Sequence, residues 1–291
     1  MSILSVISDA SLELGLGPLA SVVTASTNML AQELLAHLNR TGQSLRSDYD
    51  WPALTREYTF TLVSGTASYA MPADFHRFAF NTHWNRDTLW ELTGPMTESE
   101  WQYLKSSGIN STYPYQRWRF KDVTTKQFYL DPTPGASENG NTCVFEYYSR
   151  NWVRPKTWVT ATAFSAGTYC FYNGNYYSTS AGGTTGATPP THTSGSASDG
   201  AVSWAYLTVP YERITADTDI CNIDEALMTL GVMYRYRQSK NLPGWDMMKS
   251  EFDTEARKLS SANRGAGNIN LNSGYMMNDF WYPSTPDQGF G

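Results

Sequence analysis

Sustained helical spacing of apolar residues occupies the two ends of this 291-residue chain and leaves the middle to strands. Near the start, Ile3, Ile7, Ala10 and Leu14 recur one helical turn apart, and Gly15 and Gly17 stop the run. Leu30, Leu34 and Leu38, flanked by Ala31 and Leu35, predict a second helix from about Thr27 to Arg40. Gly42 either ends that helix or sits inside a longer one reaching Tyr49. Toward the other end, Ala226, Leu227, Leu230, Met233 and Tyr234 share one face of a helix over 223–239, with Asn222 as its cap and Glu225 three residues on. Leu242-Pro243-Gly244 breaks it, and Met248, Phe252, Ala256 and Leu259 mark another helix that starts at Asp246. Each of these helices has an apolar stripe to bury. The economical arrangement is one four-helix bundle in which the chain's two ends meet.

From Trp51 the period changes from helical to alternating. Tyr58, Phe60 and Leu62, the Ser64-Gly65 turn signal, and Tyr69 to Pro72 predict a hairpin over 56–72. Phe75–Trp84, Leu89–Leu92, Trp118–Val123, Gln127–Leu130 and Thr142–Tyr148 read as further strands, and Thr97 with Glu100 reads as the capping box of a short helix. Residues 157–208 differ in kind: one charged side chain, Asp199, against 18 Ser or Thr, seven Gly and nine aromatic residues. Asn173-Gly174 between aromatic runs signals a tight hairpin, with strands over 168–172, 175–178 and 201–207 and a loop from 181 to 200. The expected class is α+β. It divides into bundle helices (1–50), an antiparallel β region (51–156), an inserted small β module (157–208), returning bundle helices (209–264) and an extended C-terminal arm (265–291).

That arm carries five Gly, two Pro, four Asn and no Lys or Arg, yet also Tyr275, Phe280, Trp281, Tyr282 and Phe290. Ordering a chain costs about 1–2 kcal/mol per residue, so such a segment orders only against a surface that covers its rings. Tyr275, Met276, Phe280, Trp281, Tyr282 and Phe290 are the expected contacts with a neighbour. In the insert, Trp158, Tyr172, Tyr176, Tyr177 and Trp204 are candidates for contact with a glycan or a partner, weighed against a plain role as that module's core.

Composition narrows the rest. Charged residues make up 16 % of the chain, below the usual ~25 %, and the net charge is −6. No basic stripe suited to specific nucleic-acid reading is visible. Cys143, Cys170 and Cys221 form no CxxC pair, and His37, His76, His83 and His192 lie at no metal-ligand spacing, so neither a metal nor another cofactor is expected. No apolar run is long enough to span a membrane, and the first 15 residues lack the basic start of a secretory leader. Catalytic patterns are thin. Gly182-Gly183-Thr184-Thr185-Gly186 lacks the Lys of a phosphate loop, and no GxSxG occurs. Glu98 and Glu100 point to different helix faces, while Asp217 and Asp219 precede a helix, where carboxylates favour the positive end of the dipole.

One ordered set of phrases goes further: LNRTGQSLRSDYDWPAL, YTFTLVSGTASYAMPADFHRF, YPYQRWRF, FYLDPTP, CVFEYYSRNWV and DTDICNIDEALMTLGVMYRYRQSKNLPGWDMMKSEF. In this order they resemble the head–tail adaptor (connector, tail tubular A-type) proteins of short-tailed bacteriophages, over roughly 1–155 and 210–270. The resemblance implies a non-enzymatic virion protein, made in the host cytoplasm and placed at the head–tail junction. It implies a ring, typically of twelve copies, on the portal protein, with the arm reaching the portal and the ring receiving tail nozzle or fibre proteins. Double-stranded DNA would pass through without specific binding. A net negative subunit suits that task, since a basic lining would grip phosphate as counterions leave. Two other functions stand beside it: a carbohydrate- or host-surface-binding protein acting through 157–208, whose PPTHTSGSASDGAVSWAYL is similar to small β modules of phage tail proteins, and a cell-wall hydrolase using Glu98, Glu100, Asp217 or Asp219.

Overall fold

The computed structural model describes residues 2–25, 27–107, 116–122 and 125–262; the arm over 265–291 lies outside them. In chain order the elements begin with α1 (Ile3–Glu13), α2 (Met29–Asp48), β1 (Thr55–Thr61), β2 (Ser68–Ala70), β3 (Phe75–Phe78), β4 (Trp84–Asn85), β5 (Trp90–Glu91) and α3 (Glu98–Ser107). Next come β6 (Arg117–Asp122), β7 (Lys126–Asp131), β8 (Thr142–Ser149), β9 (Val153–Arg154), β10 (Ala163–Phe164), β11 (Tyr169–Tyr172), β12 (Asn175–Ser178) and β13 (Gly183–Thr184). The described part ends with β14 (Ser196–Asp199), β15 (Val202–Tyr206), β16 (Ile220–Cys221), α4 (Glu225–Ser239) and α5 (Trp245–Ala262). The class is α+β, as the change of period predicts.

Helix α4 is the hub, with α1, α2 and α5 all packed on it. Leu227, Met228, Gly231, Val232, Met233 and Tyr234 are buried, which takes in most of its circumference. Gly231 is where the helices pinch. A Cβ there would stand 2.3 Å from the Thr41 methyl of α2 and 3.0 Å from the Phe252 ring of α5. Capping follows local chemistry. Ser2 accepts from the Ser5 N–H to start α1, and Asn28 accepts from Ala31 to start α2. Asp224, not Asn222, caps α4 by accepting from Leu227 at 3.0 Å. Asn222 turns away and donates to the Asn151 carbonyl. Gly42 does not end α2; it lies buried inside it, and a Cβ there would stand 2.3 Å from the Trp152 ring.

The β region is two sheets face to face. One has the order β1-β8-β4-β5 with β3 also on β8; the other runs β2-β7-β6. This corrects the expected 56–72 hairpin. The turn forms, with Thr66 N–H donating to the Val63 carbonyl, but β1 pairs with β8 and β2 with β7. Alternation says which side chains face inward; it does not name the partner strand. Phe60, Phe75, Trp118, Phe128, Phe145 and Tyr147 meet between the sheets. The rings stack closely: Trp118 on Phe128 at 5.0 Å and Phe128 on Phe145 at 5.5 Å. His83, 3 % exposed, lies on Trp118 at 4.0 Å and is part of this stack. Thr97 and Glu100 make the predicted reciprocal box ahead of α3.

In the insert, Asn173 and Gly174 both take positive φ and join β11 to β12, as a tight hairpin requires. The expected loop over 181–200 contains β13 and β14, and the main sheet runs β11-β12-β15-β14. The hairpin is two-sided. Cys170 and Tyr177 face the module's own core with Phe164, Val202 and Trp204, while Phe171 and Tyr176 join the helical core beside Tyr211. The lone carboxylate organises the module: Asp199 accepts from the Trp158 and Trp204 indoles at 2.7 and 3.3 Å and from the Gly186 N–H at 2.7 Å.

Candidate docking surfaces

Helices α1, α4 and α5 do not close completely around each other. They leave a groove of about 920 Å³ whose floor includes Leu12, Leu230, Met248 and Leu259. Six carboxylates rim it, Asp9, Glu13, Asp224, Glu225, Glu251 and Glu255, and among the described residues no Lys or Arg lines it. Asp224 is engaged as the α4 cap and Glu255 pairs with Lys258 at 3.2 Å. A neighbouring hollow continues from it over Met247, which is 75 % exposed. A separate surface lies along α2, where Leu35, Ala36, Asn39, Arg40 and Gln43 meet Arg213 around a hollow of about 540 Å³. Among the described residues neither Arg40 nor Arg213 makes an ion pair.

The bundle is fixed to the β region by charge and by one indole. Glu212 takes Arg46 of α2 at 2.8 Å and Arg150 at 3.3 Å. Trp152 donates from its indole to the Glu212 carbonyl at 2.9 Å. Arg77 of β3 donates to the Ser47 and Tyr49 carbonyls at the end of α2 and pairs with Asp50. Among these cations His76 is held down to about pKa 4, by burial first and then by Arg46, Arg77, Arg150 and Lys126.

The residues considered for catalysis have structural partners. Glu100 closes the α3 box, which lowers its pKa, and Glu98 pairs with Arg119 at 3.0 Å. Asp217 accepts from the Val22 and Val23 N–H groups and from Ser21, and Asp219 accepts from Tyr211, Thr215 and Ala216. The main-chain carbonyls of the same two residues accept the Leu4 and Ile3 amides that open α1. Their task is thus to tie α1 and the 21–23 turn to the segment before α4, not to cap α4. Burial raises the Asp219 pKa against the pull of those hydrogen bonds. It pushes the thiols of Cys143, Cys170 and Cys221 up to about 12, far from the reactive range. Among the described residues no group of His, Cys, Asp and Glu gathers as a metal site, and no helix is long and apolar enough to cross a membrane.

Of the insert's candidate contact residues, Tyr177 and Trp204 are fully buried and Tyr176 nearly so; Trp158 and Tyr172 are half-buried and meet edge to face at 5.7 Å. A stacking face built from all five does not exist as such. Tyr275, Met276, Phe280, Trp281, Tyr282 and Phe290 lie outside the described residues. Sequence reasoning missed the groove. Its three helices are far apart in the chain, and its only sequence trace is the run of acidic residues on their outer faces.

The chain matches the SU10 adaptor protein family over residues 1–166, and it belongs to that family. It is a structural protein of the bacteriophage virion, of the head–tail adaptor kind. The match takes in α1, α2 and both sheets of the β region and stops within the insert, so α4 and α5 lie beyond it. No curated protein matches the chain.

Proposed function

We propose that this adaptor forms a ring, of twelve copies, that joins the portal to the tail and continues the DNA channel. Family membership over the first 166 residues carries the reading. The clamped bundle and sheets support it, because a joint must transmit load without changing shape. In this scheme 1–50 and 209–264 supply the side-by-side helices, 51–156 faces the tail nozzle or fibre proteins, and 157–208 is an added module on the helical core. Residues 265–291 reach the portal with Phe280, Trp281 and Tyr282 seated in its pockets. The chain is made in the host cytoplasm, carries no cofactor, works without catalysis, and lets duplex DNA pass without binding it. Its net charge of −6 suits that last task.

The test is attachment to tailless, portal-bearing capsids. A chain lacking 265–291 is expected to keep the circular dichroism and melting temperature of the full chain and to lose co-sedimentation with the capsids. Co-sedimentation equal to that of the full chain would overturn the arm's portal role.

A further inference from the structure

The groove between α1, α4 and α5 combines an apolar floor with six carboxylates and, among the described residues, no basic residue in its lining. Asp224 and Glu255 are already engaged, but the exposed Asp9, Glu13 and Glu251 on that rim favour a cationic occupant that also covers the floor. The chain's own arm is a poor occupant: residues 265–291 hold Asp279 and Asp287 and no Lys or Arg. The α2 surface has the opposite character. It offers Arg40 and Arg213, without ion pairs among the described residues, beside the apolar Leu35 and Ala36. The two surfaces share no residue. Subunits that close head to tail into a ring need such a pair of unlike, complementary patches on every copy.

We propose that the acid-rimmed groove of one subunit receives the α2 surface of a second copy of this chain, with Arg40 and Arg213 entering the rim. The inference rests on the ring reading and deepens it by naming the two faces that meet. Met247, beside the groove, extends the apolar area available to the neighbour. Because the attraction is between exposed charges, assembly weakens as salt rises above about 0.1 M, where screening acts within ~10 Å.

Two charge-reversed forms of the full chain test it on portal-bearing capsids, with rings counted by electron microscopy. One carries Asp9→Lys, Glu13→Lys and Glu251→Lys; the other carries Arg40→Glu and Arg213→Glu. All five side chains are exposed and none caps a helix, so both forms should melt as the wild type does. Each alone is expected to lose ring assembly at least tenfold. Mixed in equal amounts they should recover it, because each reversed face then meets its reversed complement while the untouched faces meet as before. Normal rings from either form alone, or lost assembly that mixing does not restore, would overturn the pairing and leave the ring reading intact. A wild-type chain that forms no ring on those capsids would overturn the ring reading and the pairing together.

Discussion

The helical bundle and the β sandwich sit side by side but are filled differently. Ile3, Ile7, Leu34, Leu38, Leu45 and Val232 dominate the space around α4, whereas the two sheets enclose Phe60, Phe75, Trp118, Phe128 and Phe145. Spacing accounts for much of this. Helix axes lie 8–10 Å apart and branched aliphatic chains fill the grooves between them, while facing sheets stand ~10 Å apart and rings span that gap. Rings also interact through their edges and faces, worth about 0.5–1.5 kcal/mol per pair beyond burial. The aliphatic core accepts a few rings, Tyr234 and Phe252 from its own helices and Trp152, Tyr176 and Tyr211 from segments that enter it.

The comparison breaks if the two cores melt apart. Phe128→Ala should cost about 3–5 kcal/mol and Leu38→Ala about 2–5 kcal/mol. Both residues are essentially inaccessible. Because Glu212, Arg77 and Trp152 clamp the cores together, both variants should lower one shared transition, read alike by far- and near-ultraviolet circular dichroism. Separate transitions in the Phe128 variant would make the sandwich an independent unit.

Acid sharpens the contrast, since the aromatic core buries a histidine, His83, within its stack. Burial drives the His83 pKa down to about 3. Between pH ~6.5 and 3 the unfolded chain binds a proton that the folded chain does not, so stability is complete above the unfolded value and falls as pH falls. The slope from this group is at most about 1.4 kcal/mol per pH unit. His83→Phe should flatten that limb in urea titrations between pH 6.5 and 4, leaving the smaller shares due to His76 and His37, whose pKa values burial also lowers. An unchanged slope would remove His83 as its source.

The smallest effect probes where the segment leaving the sheets enters the helical core. Gly42→Ala gains about 1 kcal/mol of helix propensity but forces a methyl into the Trp152 ring, which is fully buried and held by its bond to Glu212. The net expectation is a loss of about 1–2 kcal/mol of stability, seen as a lower urea midpoint, and a gain would mean that the junction can yield.

Local signals carried most of the helical half. Leucine spacing placed α2, the Thr97–Glu100 box placed the start of α3, and Asn173-Gly174 placed the insert's hairpin, because each needs only residues within one turn of each other. The sheets were readable as strands but not as pairs. β1 finds its partner some ninety residues on, and neither strand's alternation names the other. The Asn222 cap was misplaced by two residues because Asp224 competes with it for the same role and wins the Leu227 amide. The docking groove was illegible for the reason that hid the sheet pairing: α1 and α4 are neighbours only after folding. The split of the insert's tyrosines between two cores depends on the same distant packing.

The bonds from the Ile3 and Leu4 amides to the Asp219 and Asp217 carbonyls set a schedule for manufacture. At roughly 5–20 residues per second, a ribosome takes on the order of 10–40 s to go from one partner to the other. Throughout that interval the greasy side of α1, including Val6, Ile7 and Ala10, has no α4 to lie on. Nascent copies emerging close together on one message are therefore open to wrong partners during that wait, and the joint becomes fit for assembly only once translation is well into its last third.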